Sequence, residues 1–322
     1  MKSRGTPQLG RVLRAAVREL RKFAYTRPLR SVQGEKPGRR PRLGLALSGG
    51  FARGLAHIGV LKVFVENQIT IDALAGTSTG SIVAAAFASG CTIEEMATIA
   101  RQTRWSSFAR WTIPRLGFAT NERMESFLLK TLPCRTFEQL KLPLAIVTAD
   151  LRTGQAVIFR EGDLMIPLRA SCSFPGLFVP IEHHGRLLLD GAIVNNVPVS
   201  ALPGMDLTVA VHIRSNGLHR RPTSLFEVVG ESFRITLNSN QSSWREHCDL
   251  TIEPEVADYR WDDFGHADEL MAAGETAARE ALPTLRLLLR EQTWGVKEPG
   301  SREVEKSRIE NSGARVESQA FP

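Results

Sequence analysis

Apolar and basic positions recur at helical spacing near the start of the chain. Over residues 8–24, Leu9, Val12, Leu13, Ala16, Val17, Leu20 and Ala24 fall on one face, and Arg11, Arg14, Arg18, Arg21 and Lys22 occupy much of the remainder. A basic amphipathic helix of this kind suits an anionic membrane surface. It equally suits packing on a folded body with its charges in water, and the pattern does not separate the two. A Gly-, Pro- and Arg-rich linker follows Pro28 and runs to about Arg42.

Beyond the linker, short apolar runs alternate with amphipathic stretches. Residues 42–47 predict a buried strand, 52–67 a helix, 71–75 a second strand and 79–89 a second helix. Thr92 opens another helix with Glu94 and Glu95 in its first turn, and Asn121 is placed to cap a helix through Leu132. Further strands are expected at 143–148, 156–160, 187–189, 207–213 and 249–252, with turns at Arg152-Thr153-Gly154 and His183-His184-Gly185. Residues 264–293 are helical in pattern, and Pro283 is expected to break or kink them. From Gly295 onward the chain is polar and aperiodic, as a disordered tail would be. Strands alternating with helices predict an α/β fold whose mostly parallel sheet is covered on both faces. The expected division is 1–41 as helix and linker, 42–293 as the folded domain and 294–322 as a tail.

An apolar content of 43% over 322 residues supports a sizeable core. Charge adds more, because the net +7 is uneven. Residues 1–42 hold thirteen Lys and Arg against Glu19 and Glu35, a local +11, which leaves −4 for the rest. The basicity belongs to the arm, and without aromatic interleaving or a reader motif nucleic acid is not an expected partner. Cys91, Cys134, Cys172 and Cys248 show no CxxC or metal-ligand spacing, so reduced thiols and a cytoplasmic protein are expected, with the arm at the inner membrane face on the first of its two readings. The uncharged stretch 73–93 is interrupted by Gly76, Gly80, Gly90 and a Thr/Ser cluster, which reads as strand, turn and helix in a soluble body rather than a membrane span.

Three stretches carry chemistry. Gly76-Thr77-Ser78-Thr79-Gly80 fits the nucleophile elbow, where a serine sits on a sharp strand-to-helix turn and small neighbours let the chain pass closely. Ser48-Gly49-Gly50-Phe51-Ala52-Arg53-Gly54 lies between another strand and helix, where backbone N–H groups can point at an oxyanion. It fails the dinucleotide spacing GxGxxG, because Phe51 stands two residues after Gly49. Asp190-Gly191-Ala192 follows the apolar run 187–189 and offers a general base for Ser78, although Asp-Gly after a strand is also an ordinary turn.

These three stretches in this order, with Ser171-Cys172-Ser173-Phe174-Pro175-Gly176-Leu177-Phe178 and Asn195-Asn196-Val197-Pro198, resemble the patatin-like phospholipase family. The resemblance is strong over 42–198, weak to about residue 280, and similar to single-domain bacterial members related to the neuropathy-target-esterase catalytic domain. It implies a three-layer α/β/α patatin-like fold and a serine acyl hydrolase of the phospholipase A or lysophospholipase type, with phospholipid or lysophospholipid as substrate and no metal or organic cofactor. By position, Ser78 would be the nucleophile on an elbow framed by Gly76 and Gly80. Asp190 would be the base, Gly49, Gly50 and Phe51 the oxyanion hole, and Arg53 and Gly54 the support of that loop. Ser48 departs from the family's usual glycine and would either alter the loop or add a donor near the substrate.

Two other readings compete. An α/β-hydrolase triad would need a histidine, and His57, His183, His184, His212, His219, His247 and His266 each lack a surrounding motif. The protein could also be a membrane-associated regulator that keeps the fold with little turnover.

Overall fold

The protein is described by a computed structural model over residues 39–108, 110–111, 119–120, 122–217, 221–223, 225–239 and 244–294. The expected helix at 8–24, the cap at Asn121 and the tail beyond residue 294 lie outside the described residues.

β1 (Leu43–Leu47) is buried along its whole length and shows how the layers are built. Leu43, Leu45 and Leu47 enter the larger core, whereas Ala46 faces a smaller one. A strand buried on both faces must be apolar throughout, which is why the run carries no alternation with polar residues. β2 (Ala73–Thr77), β5 (Leu144–Asp150) and β9 (Leu207–Val211) are built in the same way. With β6 (Ala156–Phe159), β7 (Ile181–His183), β8 (Arg186–Asp190) and β10 (Leu250–Ile252) they form one sheet in the order β10-β9-β1-β2-β5-β8-β7, with β6 also paired to β5. The pairs on the β10 side of β5 are parallel, and β6, β7 and β8 are antiparallel to their neighbours. The expected mostly parallel α/β sheet is therefore what forms. β3 (Arg110–Trp111) and β4 (Ala119–Thr120) make a separate ribbon.

The layers are unequal. α1 (Ala56–Glu66), α2 (Thr79–Ala88), α3 (Ile93–Gln102) and α8 (Ala267–Trp294) bury leucines, valines and methionines on the large-core face. The opposite face is lined by Ala46, Ala75, Ala145 and Ala210 and covered by the short segment Val197–Leu202. Thr92 caps α3 through a reciprocal bond with Glu95, as its position in the sequence foretold.

Some expectations need correction. β2 runs two residues further than the sequence suggested, because Gly76 and Thr77 still pair with β5 and the chain turns only at Ser78. α8 continues through Pro283, where a break or kink was expected, so it is not broken there. Pro283 and Arg279 are exposed, so the carbonyl freed by the missing N–H meets water, while buried Ala278, Leu282, Leu285 and Leu288 hold both sides of it. α4 (Glu122–Thr131) occurs where expected, but α5 (Met165–Ser171), α6 (Ala192–Asn195) and α7 (Leu225–Ser239) were not read from the sequence.

Candidate active site

Ser78 occupies the single residue between β2 and α2, with φ 53° and ψ −130°. A side chain in this region costs about 1–3 kcal/mol and persists only where surroundings enforce it. Here they do. The Ser78 N–H donates to Ser171 Oγ at 2.8 Å, and that hydroxyl donates to the Val147 carbonyl at 2.7 Å. The Ser78 carbonyl accepts from the Ser81 hydroxyl at 2.6 Å. Glycines frame the turn because nothing larger fits: a Cβ on Gly76 would lie 2.4 Å from Ser81 Cα, and one on Gly80 would lie 2.3 Å from the Leu47 carbonyl oxygen.

Asp190 ends β8, and the sheet itself sets its distance from Ser78. β5 lies between β2 and β8, pairing Val147 with Thr77 on one side and Thr148 with Asp190 on the other. Two strand spacings are roughly 10 Å, which the elbow and the aspartate side chain close. Ser78 Oγ donates to Asp190 Oδ2 at 2.8 Å, and the Ala192 N–H donates to Oδ1 at 2.9 Å. Asp190 is only 1% exposed. Burial lifts its carboxyl from the ordinary 3.8 to about 7, tempered by the bonds from Ala192 and Ser78. A carboxylate poised near neutrality can accept a proton from a neighbouring hydroxyl.

The glycine loop lies against this pair. A Cβ on Gly49 would sit 3.2 Å from Ser78 Cβ, so main chain and nucleophile are in close contact. The Gly49 N–H, however, is engaged by Asn196, with its Oδ1 at 3.2 Å and its carbonyl at 3.3 Å. The N–H that was expected to donate to an oxyanion is thus engaged within the protein. No hydrogen bond from the Gly50 or Phe51 N–H to a described residue is present. Phe51 sits at φ 51°, its carbonyl held by Thr79 Oγ1 at 3.0 Å and its ring edge-on to Phe174 and Trp261.

Ser48 is fully buried and faces away from the nucleophile. Its hydroxyl accepts the Ile213 N–H at 2.9 Å and donates to the Gly49 carbonyl at 3.1 Å, so it ties the loop to the end of β9 rather than adding a donor for substrate. Gly54 lets the following turn pass the Thr79 methyl. Arg53, expected to support the loop, makes no hydrogen bond to its backbone among the described residues. Its guanidinium reaches Ser215 Oγ at 3.0 Å and lines the cavity over Ser78, its pKa lowered by burial to about 10 and partly restored by Glu231.

None of the described histidines bonds Ser78. His57 lies beneath the loop with Nε2 2.8 Å from the Ser48 carbonyl, and burial lowers its pKa to about 4. His212 lines the cavity, but its Nδ1 pairs with Glu253 at 2.9 Å. His266 pairs with Asp263 near the surface, and His219 is outside the described residues. Cys172 is buried beside the pair, where burial drives its thiol well up. Sequence reasoning gave no role to Ser171 and Asn196, although both stand in stretches it singled out.

A cavity of about 550 Å³ opens on Ser78 and Asp190, and Arg53, Glu231, Arg234 and Asp258 are among its walls. The size suits a small organic ligand. Fold and site together define a class: an α/β protein built around a serine–carboxylate pair at a strand–turn–helix junction. The family follows from comparison with known proteins. Residues 45–203 form a patatin-like phospholipase domain by their match to that family's profile.

An uncharacterized NTE family protein of Mycobacterium tuberculosis is 36% identical over 181 residues, 55% of this chain and 50% of that protein. Lysophospholipase nte1 of Aspergillus fumigatus is 30% identical over 235 residues, 65% of this chain and 15% of that one. The chain thus spans half or less of the length of these relatives. Among solved structures, VipD from Legionella pneumophila is 13% identical with a TM-score of 0.46, covering 76% of this chain and 67% of that one. Among the described residues no helix is long and apolar enough to cross a membrane.

Proposed function

We propose that the folded domain, residues 42–293, hydrolyses fatty-acyl esters of phospholipids or lysophospholipids through Ser78 and Asp190. The observation that carries this reading is the buried 2.8 Å bond from Ser78 Oγ to Asp190 Oδ2, on the wall of a cavity and beside the Gly50 and Phe51 N–H groups, which bond no described residue. Asp190 takes the Ser78 proton as Oγ attacks the ester carbonyl, and the Gly50 and Phe51 N–H groups receive the charge that forms on oxygen. The tetrahedral adduct collapses, the alcohol leaves with the proton from Asp190, and an acyl-enzyme remains. Water then attacks that ester, Asp190 accepts its proton, and Ser78 is regenerated as the fatty acid departs. The name of the fungal relative supports a lipid ester as substrate.

The test is turnover of phospholipid and lysophospholipid esters by wild type, Ser78→Ala and Asp190→Asn. Both variants lose turnover while remaining folded, and a folded variant with full turnover would remove the pair from the mechanism. His212→Gln keeps most of the activity, whereas its complete loss would favour a histidine triad. A folded wild type inactive on every ester would favour the regulatory reading.

A further inference from the structure

Ser78 borders a second cavity, which shares Phe51 with the first. This cavity runs along α2, whose Thr79, Ile82, Val83 and Ala86 fall on one helical face, and reaches residues of α3 and α4. Its character differs from that of the first. Among the described residues no charged side chain lines it, and its other walls include Ile99, Ala100, Met124, Phe127 and Phe178.

The threonines on its wall do not make it polar. Thr79 Oγ1 donates to the Phe51 carbonyl at 3.0 Å, Thr103 Oγ1 to Ile99 at 2.8 Å and Thr131 Oγ1 to Phe127 at 2.7 Å. Each hydroxyl proton is spent on main chain, and the surface left over is hydrocarbon. An ordered water needs two to four polar partners, which such a wall does not supply. A methylene chain needs none.

We propose that this cavity seats the hydrocarbon chain of the acyl group, and that Ala86 at its depth sets how long a chain is accommodated. The proposal rests on the ester-hydrolase reading and adds a direction to it: acyl chain along α2, alcohol portion into the charged cavity that holds Arg53 and Glu231. Ala86 lies eight residues beyond Ser78, which at the rise of a helix is ~12 Å. A zigzag carbon chain with bonds near 1.5 Å advances roughly 1.25 Å per bond, so ~12 Å holds roughly ten carbons.

The test uses a homologous series of p-nitrophenyl esters, acetyl to palmitoyl, on the full chain, with Ser78 labelling by a short fluorophosphonate as a separate readout. For wild type, kcat/KM rises about fourfold per methylene, the gain from burying one such group, and levels off at roughly ten carbons. Ala86→Phe moves that break down to roughly six carbons, near the level of Val83. Ile82→Trp, at a half-buried position that tolerates bulk more easily, moves it further down.

A break that stays in place in folded Ala86→Phe and Ile82→Trp overturns the proposal. So does a break that moves instead with Val194→Trp, on the wall of the charged cavity. Absence of both ester turnover and Ser78 labelling in wild type refutes the hydrolase reading itself. Turnover with a flat length profile refutes this inference alone.

Discussion

Replacing Asp190 by Asn separates what the carboxylate does for chemistry from what its burial does to the fold. Asn keeps the shape, its carbonyl can accept the Ala192 N–H, and its amide can donate to Ser78 Oγ. It cannot ionise. In wild type, burial raises Asp190 from 3.8 to about 7. Below the unfolded value both states hold the proton, and the folded protein keeps its full stability. As pH rises through the window the unfolded chain ionises first, and stability falls until the folded carboxyl ionises near pH 7. The loss is about 4 kcal/mol at most, roughly three pH units at 1.36 kcal/mol each. Asp190→Asn removes it. The variant should match wild type in thermal melts near pH 4 and exceed it above pH 7 by up to ~4 kcal/mol, on the order of 10 °C in Tm. Ester turnover is lost at every pH. Circular dichroism melts at both pH values read the difference, and an equal offset at the two would refute the argument that Asp190 carries a buried, uncompensated charge.

The same carboxyl sets the pH profile of the reaction. kcat/KM should rise about tenfold per pH unit up to about 7 and level above it, because only the ionised form accepts the Ser78 proton; a profile flat across that rise would remove Asp190 as base. Gly80→Ala forces a methyl to within 2.3 Å of the Leu47 carbonyl and should cost more than ~3 kcal/mol, seen as loss of folded protein in a urea titration. Ser48→Gly leaves the Ile213 N–H without its acceptor and should lower stability by about 1–3 kcal/mol, with turnover kept within a few-fold; a large turnover loss at unchanged stability would place the hydroxyl at the substrate after all.

How much of this was legible in the sequence depends on how local each feature is. The elbow could be read because strand, strained residue and helix are consecutive, and because the glycines at 76 and 80 answer contacts the turn makes with itself and with the neighbouring β1 end. Asp190 could be found as a strand end followed by Gly and matched to Ser78 by the family resemblance, but the strand pairing that brings the two together could not, since β8 and β5 join residues about forty apart and leave no periodic trace. The Asn196 contact that occupies Gly49 spans 147 residues, which is why Gly49 looked free. Pro283 misled for the opposite reason. A local rule marked it as a break or kink, and with leucines packed on both sides the helix runs on without a break. The Ser48 hydroxyl was legible as a departure but not in its direction, which is fixed by Ile213 at the end of β9.

Val147 lies between the two halves of the site. Its carbonyl receives the hydroxyl of Ser171, which holds the Ser78 amide, and the same oxygen would be 2.3 Å from a Cβ on Gly191, next to Asp190. Nucleophile and base are therefore hung from one point on one strand, and neither rests on a loop that could close by itself. Slippage of β8 by one residue would turn Asp190 to the other face of the sheet and leave Ser78 alone. A chain that has collapsed but not yet paired its strands correctly has no reactive centre. For a protein proposed to cleave acyl esters, reactivity then waits on correct strand pairing, and a misregistered chain holds Ser78 without its base.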